Sequence, residues 1–236
     1  KMNKRTRTIL FSICVFLFAL TAPSVILYSQ GYRFDFASKK IVQTGGLYFK
    51  VAPRSAQVSL NDKIKDTTSL FTSSSLVENL LPKTYIVEIS KDGYYPWQKT
   101  LEVKERQVTE AKNITLIPKI PELSKLQVTQ EEIKSIVSEF KPTATSSDGH
   151  KLIEADKHEI WIEFLREKEK IFLIRFSENI GKVFWFNDYY LIFNVGDKIK
   201  VAEIDDRDRL NVVDLADFNT PEIFCDFTSF KLYVLS

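Results

Sequence analysis

Residues 9–28 read ILFSICVFLFALTAPSVILY, a run of twenty residues without a charged side chain. The run begins at Ile9 and ends at Tyr28. Twenty residues in an α-helix extend about 30 Å, which matches the hydrocarbon thickness of a bilayer. The sequence therefore predicts a transmembrane helix near the N-terminus, and the chain contacts the membrane through this segment.

A basic segment precedes the apolar run, and it contains Lys1, Lys4, Arg5 and Arg7. Basic flanks stay on the cytoplasmic side, so we expect a cytoplasmic N-terminus and an extracytoplasmic chain beyond residue 28. The alternative is a cleaved signal peptide. Its apolar region is usually about 7–15 residues long, and the small residue Ala22 is followed by Pro23, which blocks cleavage. We therefore expect an uncleaved single-pass anchor.

Composition and charge indicate a folded protein. Hydrophobic residues make up 44% of the chain and charged residues 27%, a globular balance. The net charge is +6 over residues 1–45, +3 over 46–120 and −7 over 121–236. Because the basic excess adjoins the apolar run and does not recur, it is a topology signal and predicts no nucleic-acid partner. Cys14 and Cys225 are too few and too distant to predict a disulfide framework.

Residues 29–45 form a short polar link after the apolar run. Phe34 and Phe36 alternate with Asp35, and Ile41 and Val42 follow a turn at residues 38–40. This pattern predicts a small hairpin that lies on the next domain.

Residues 46–118 contain short apolar runs separated by turn signals. The predicted strands are residues 47–51, 56–60, 76–81, 84–90, 97–103 and 108–117. Within residues 84–90, Tyr85, Val87 and Ile89 alternate with their neighbours and should share one face. Strands of this length and spacing predict a small β-sandwich.

Three short segments of this region resemble the PEGA-domain family. The segment VAPRSAQVSLN at 51–61 resembles the opening strand and turn, LLPKTYIV at 80–87 the second signature, and KDGYYPW at 91–97 the third. Ser55 and Lys83 stand where the family usually has Gly, so both turns must tolerate a side chain. The resemblance implies an extracytoplasmic sandwich related to carboxypeptidase-regulatory-like domains, structural or binding in role and without activity of its own.

Residues 119–141 form a linker that contains one predicted helix. Thr129 and Glu132 stand at the spacing of a capping box. Apolar residues then recur at helical spacing, at Ile133, Ile136, Val137 and Phe140. The pattern predicts a short amphipathic helix that packs on a sheet; a partner-docking helix is the alternative.

Residues 142–236 contain a repeat of 39 residues. Leu152 and Ile160 in the first copy correspond to Leu191 and Ile199 in the second, and a third copy begins at Asp226. The segments SDGHKL at 147–152 and EIWI at 159–162 are similar to blades of Tol-type and WD-type β-propellers. A closed propeller has at least about four blades. We therefore expect either a piece of a longer chain or an open sheet covered by the helix, with an exposed edge that invites a partner or self-association.

Candidate chemistry is sparse. His150 and His158 follow Asp148 and Asp156 in turns, where a metal site is conceivable but ordinary turn residues are favoured. The acidic segment DDRDR at 205–209 resembles a calcium loop by its number of acids alone, because the sixth-position Gly and twelfth-position Glu are missing, and we expect an inter-strand turn. The sequence assigns no catalytic, cofactor-binding or metal residue, and we expect no enzyme and no cofactor.

Three aromatic residues are candidates for ligand contact: Tyr94, Tyr95 and Trp97. They could stack on sugar rings, although packing of the turn against the sandwich is favoured. The sequence thus predicts a bacterial, membrane-anchored scaffold or recognition module of the cell envelope, with another envelope protein or cell-wall polysaccharide as partner. The alternatives are a glycan-binding or sensing module that uses this turn, and a fragment of an envelope hydrolase whose propeller active site lies outside this chain.

Overall fold

The computed structural model describes residues 3–69, 71–127, 129–139, 143–226 and 231–236, with only the backbone at 136, 137, 139 and 226. The fold is mainly β, as the sequence predicts. The helices are α1 (Lys4–Ser29) and α2 (Gln130–Glu139). The strands up to residue 115 are β1 (Tyr32–Asp35), β2 (Lys40–Gln43), β3 (Gly45–Ala52), β4 (Gln57–Leu60), β5 (Lys63–Thr67), β6 (Ser74–Leu80), β7 (Thr84–Ser90), β8 (Trp97–Glu102) and β9 (Val108–Thr115). Those after α2 are β10 (Lys151–Ala155), β11 (Glu159–Phe164), β12 (Glu169–Arg175), β13 (Ile180–Asn187), β14 (Tyr190–Val195), β15 (Lys198–Glu203), β16 (Val212–Asp217), β17 (Glu222–Asp226) and β18 (Lys231–Leu235).

Helix α1 is a continuous helix of 26 residues with no buried residue. Its most apolar 18-residue window has a mean hydropathy of 2.4, so it is long and apolar enough to span a membrane. The hydroxyl groups of Thr21 and Ser24 donate to the carbonyls of Leu17 and Leu20 one turn earlier, which satisfies them within the helix around Pro23. The predicted apolar helix is therefore confirmed.

The predicted hairpin of the link is also confirmed, as β1 paired with β2. Arg33 links the hairpin to α1 and to β6. Its guanidinium lies 3.5 Å from the centre of the Tyr28 ring and donates to Asn79 Oδ1 at 3.0 Å. The hairpin contacts the next domain through Arg33, although two of its apolar residues do not pack there. Phe34 and Ile41, which pair across the hairpin, remain exposed.

Strands β3 to β9 form two sheets with the orders β6-β3-β9 and β5-β4-β7-β8. Buried residues of both sheets belong to one hydrophobic cluster, which includes Phe49, Val58 and Val87. The predicted alternation in β7 is confirmed, since Tyr85, Val87 and Ile89 are all buried. The sequence missed β5, whose five residues are all exposed.

Strands β10 to β18 form three antiparallel sheets in chain order: β10-β11-β12, β13-β14-β15-β16 and β17-β18. The repeat of 39 residues relates β10 to β14 and β11 to β15. Two hydrogen bonds between neighbouring sheets join residues that are 40 positions apart, close to the repeat of 39 residues. The Asp148 amide donates to Asp188 Oδ1 at 3.0 Å, and Lys182 Nζ donates to Glu222 Oε1 at 2.7 Å.

Helix α2 begins with the predicted capping box. Thr129 Oγ1 accepts from the Glu132 amide, and Glu132 Oε2 accepts from the Thr129 amide at 2.7 Å. Ile133 is partly buried, and the other side chains that the structure describes in α2 are exposed. The remaining residues of the predicted apolar stripe, at 136, 137 and 140, lie outside the described side chains.

Candidate functional site

We call strands β3 to β9 the first β-region and strands β10 to β18 the second β-region. The most elaborate polar site among the described residues lies where these two regions meet. Strand β8, at the edge of its sheet, faces the loop that joins β15 to β16. We call this loop, residues 204–211, the lysine loop, because it surrounds the side chain of Lys99. The loop contains the acidic segment at 205–209, which the sequence correctly places in an inter-strand turn.

Lys99 projects into the lysine loop and is fully buried. Its Nζ donates to the main-chain carbonyls of Asp205 at 2.7 Å, Arg207 at 2.9 Å and Arg209 at 2.8 Å. It also lies 2.8 Å from Glu203 Oε1. A buried ammonium group is stable only with such compensation, because its removal from water is costly. The loop therefore folds around a cation that the chain itself supplies.

Glu203 is the second buried charge of the site, and both of its carboxylate oxygens are occupied. Oε2 accepts a hydrogen bond from Trp97 Nε1 at 2.7 Å. Oε1 accepts from the amide of Asn211 at 3.0 Å and from its side-chain Nδ2 at 2.7 Å. The indole of Trp97, in the first β-region, is thus hydrogen-bonded to a carboxylate in the second.

Side chains of the lysine loop also cover the open edge of β8. Asn211 bonds to Gln98 in both directions, accepting from its amide at 3.2 Å and donating to its carbonyl at 3.1 Å. Asp208 Oδ2 accepts from the Thr100 amide at 2.7 Å. The hydrogen bonds that Asp208 makes with the side chain and main chain of Thr100 lower its pKa. An edge strand that would otherwise present unpaired main-chain groups is thereby closed.

Basic side chains in and beside the acidic segment stabilise the charged form of its carboxylates. Burial raises the pKa of Asp205, but the hydrogen bond from Arg207 and the charge of Lys99 outweigh it, so the pKa is lowered. Hydrogen bonding to Asp205 in turn raises the pKa of Arg207. Both shifts favour the charged form of each group.

Two of the three candidate aromatic residues, Tyr95 and Trp97, lie along the same interface. Trp97 is only 3% exposed, so neither face of its ring is open to a sugar. Tyr95 donates from its hydroxyl to the Asp214 carbonyl at 3.1 Å. Tyr94 is partly buried and pairs with Pro118. The geometry favours packing for Trp97, against the second β-region, and ligand contact by these residues stays a prediction.

The two histidine turns are built by their aspartates. Asp148 Oδ1 accepts from Ser146 Oγ and from the amide of His150, while Asp156 Oδ1 accepts from the amide of His158 at 2.7 Å. Burial raises the pKa of Asp148, but hydrogen bonds, led by that from Lys151, lower it overall. In the part of the chain that the structure describes, no three His, Cys, Asp or Glu residues cluster as metal ligands.

Sequence reasoning missed Lys99 and Glu203, although one signal for Lys99 was present. Lys99 alternates with Trp97 and Leu101, which places it on the buried face of β8. A lysine at such a position needs a buried partner. Comparison with protein-family models and with curated proteins finds no match for this chain.

Proposed function

We propose that the chain is a bacterial, single-pass membrane protein that holds a rigid extracytoplasmic head for scaffolding or recognition in the cell envelope, without enzymatic activity. One observation carries this proposal. Helix α1, unburied over 26 residues and uncharged from residue 9 onward, passes through a two-residue turn into a hairpin that is hydrogen-bonded both to the helix and to the first β-region. A head attached in this way stands at a fixed position relative to its anchor.

The PEGA interpretation of the first β-region has local support. Ser55 has φ +58°, in the left-handed region that favours Gly, and it occupies a position where PEGA domains usually have Gly. Two sheets with a common hydrophobic cluster accord with a small sandwich. The module would then serve structure or binding.

The propeller interpretation of the second β-region is supported by how its sheets meet. Blades are antiparallel sheets in chain order, arranged around a central axis. Here the contact of Lys182 with Glu222 and that of the Asp148 amide with Asp188 each join positions forty residues apart, close to one repeat.

The orientation can be tested with the full chain expressed in bacteria with a C-terminal epitope tag. Lys4, Arg5 and Arg7 before α1 favour a cytoplasmic N-terminus. We expect the tagged protein to stay in the membrane after alkaline carbonate washing, and protease added to spheroplasts to destroy the tag. A soluble protein would contradict the anchor, and a protected tag would contradict the exported head.

A charge-reversal variant sharpens this test. Changing Lys4, Arg5 and Arg7 together to Glu should reduce the fraction of exported tag, because the orientation signal is reversed. Lys63 and Lys65 on β5 are exposed and far from α1 in sequence, and their change to Glu is the matched control. Equal export of both variants would show that the basic flank does not set the topology.

A further inference from the structure

The hairpin β1–β2 has an apolar face that the described part of the chain leaves exposed. Phe34 is 48% exposed, Phe36 84% and Ile41 65%. Phe34 and Ile41 are cross-strand partners, and the ring of Phe36 lies edge-on to Phe34 at 5.0 Å. Single exposed apolar residues are ordinary, but three adjacent ones on so short a hairpin form a patch that usually marks a contact surface.

The hairpin that carries this patch lies directly at the end of α1. Helix α1 ends at Ser29 and β1 begins at Tyr32. Arg33 donates to the carbonyl of Tyr28, in the last turn of the helix, at 2.8 Å. A four-residue strand extends about 13 Å, so the hairpin starts at the headgroup layer of any bilayer that α1 spans and stays within a short distance of it.

The charges of the hairpin suit that layer. Lys39 and Lys40 are exposed at and beside its turn, next to the apolar patch. Asp35 is the single acid of the hairpin, and its carboxylate is engaged by the amide of Ala37 and by Ser38. Hydrogen bonds from Ser38 and Ala37 lower its pKa. Exposed lysines beside an apolar patch are the pattern of interfacial membrane contact with anionic lipid.

The first β-region adds basic groups near the hairpin. The amide of Arg106 donates to the Thr44 carbonyl at 3.2 Å, just after β2. Arg106 also lines a polar recess with Gln30, Tyr32 and Gln43, between the end of α1 and the β-region. The recess therefore places a basic side chain beside the end of α1.

We propose that the β1–β2 hairpin is a second membrane contact, separate from the helix. Phe34, Phe36 and Ile41 enter the boundary between acyl chains and headgroups, and Lys39 and Lys40 lie among the phosphates of anionic lipids. This inference rests on the proposed anchoring by α1. It assigns the hairpin the role of fixing the tilt of the head against the membrane surface.

The test uses the full chain in vesicles of phosphatidylethanolamine and phosphatidylglycerol. In a Cys14→Ser, Cys225→Ala background, a nitroxide is attached to Phe36→Cys, to Phe16→Cys within α1, or to Phe71→Cys. Phe71 is 89% exposed in the loop between β5 and β6 and is the matched control. Power saturation compares the access of apolar oxygen with that of a polar nickel chelate at each label.

We expect the labels at 16 and 36 to favour oxygen, with 36 the shallower of the two, and the label at 71 to favour the chelate. Adding Lys39→Glu and Lys40→Glu should shift label 36 toward the chelate. If label 36 favours the chelate while label 16 favours oxygen, the hairpin inference is overturned and the anchor stands. If label 16 also favours the chelate, the proposed anchor itself fails.

Discussion

Trp97 shows how a residue that resembles a ligand platform in sequence can be a structural connector. Its ring is buried, and its one polar atom is satisfied by a buried carboxylate of the other β-region. Buried indoles commonly combine a large apolar contact with one hydrogen bond in this way. A substitution at Trp97 therefore tests stability before it tests binding.

We expect Trp97→Ala to lower the free energy of unfolding by about 3–5 kcal/mol, the usual cost of removing a large buried aromatic ring. Tyr94→Ala is the comparison, because Tyr94 is partly exposed in the same turn, and its loss should be smaller. Urea denaturation followed by fluorescence measures both. A stable Trp97→Ala protein that no longer sediments with cell-wall polysaccharide would instead restore the glycan hypothesis.

Ser55 and Lys83 each stand in a turn where the proposed PEGA resemblance expects Gly, but they differ in backbone conformation. Ser55 has φ +58°, whereas Lys83 is not among the residues with positive φ. A non-glycine residue in the left-handed region costs about 1–2 kcal/mol. Glycine elsewhere costs about 0.5–1 kcal/mol through the flexibility of the unfolded chain.

Ser55→Gly should therefore raise the melting temperature or leave it unchanged, since relief of strain offsets the added flexibility. Lys83→Gly should lower it, because there is no strain to relieve. Thermal unfolding followed by circular dichroism compares the two variants under the same conditions. The opposite order would show that the left-handed conformation at Ser55 is not a source of strain.

At the scale of elements, sequence reasoning succeeded where a strand buries one face. The alternating pattern of β7 gave both its bounds and its buried residues, because burial selects apolar side chains at every second position. Strand β5 was not predicted for the same reason, because all five of its residues are exposed. Its signal was the turn before it, where Asn61 and Asp62 both have positive φ, as a two-residue type I′ hairpin requires.

Helix α2 depends on its N-terminal cap, because most of its described side chains are exposed. Thr129→Ala removes the side-chain half of the capping box, and we expect about a fivefold rise in local opening, corresponding to the usual strength of a cap. Hydrogen exchange of amides 130–138 measures it. Ser135→Ala, which leaves the cap intact, should have little effect.

The same cap should depend on pH. Hydrogen bonds from the amide and hydroxyl of Thr129 lower the pKa of Glu132 in the folded chain. A depressed pKa means that the stabilisation is present above the ordinary pKa of glutamate and is lost as the pH falls through the folded value. The protection of the α2 amides, corrected for the intrinsic pH dependence of exchange, should therefore fall in acid, and Glu132→Gln should remove that dependence.

At the scale of the whole molecule, the contacts around Lys99 join two β-regions that the sequence treats as separate domains. Lys99 and Glu203 are 104 positions apart and are both buried at the junction. A pairing over that distance has no periodic signature, so the sequence predicted both regions and missed the junction. The alternation in β8 could have indicated a buried lysine, but not the loop that receives it.

We expect Lys99→Met to lower the free energy of unfolding by about 3–5 kcal/mol, because it leaves Glu203 buried without its cation. Calorimetry should show one unfolding transition for the unaltered chain and two for the variant. Lys112→Met is the matched control. Lys112 pairs with Glu110 at the surface, where such a pair contributes about 0–1 kcal/mol. A single transition in Lys99→Met would mean that other contacts couple the regions.

The lysine loop holds the ammonium of Lys99 in the way that a metal-binding loop holds its ion. Three carbonyls and a carboxylate around one positive charge are oxygen donors of the kind that bind calcium. A covalently attached ammonium is present at a very high effective concentration and cannot diffuse away. Dilution, chelation or a change in external mineral ions therefore removes nothing from this loop. The loop is held by a charge that the chain itself provides, so its order does not require a bound metal ion.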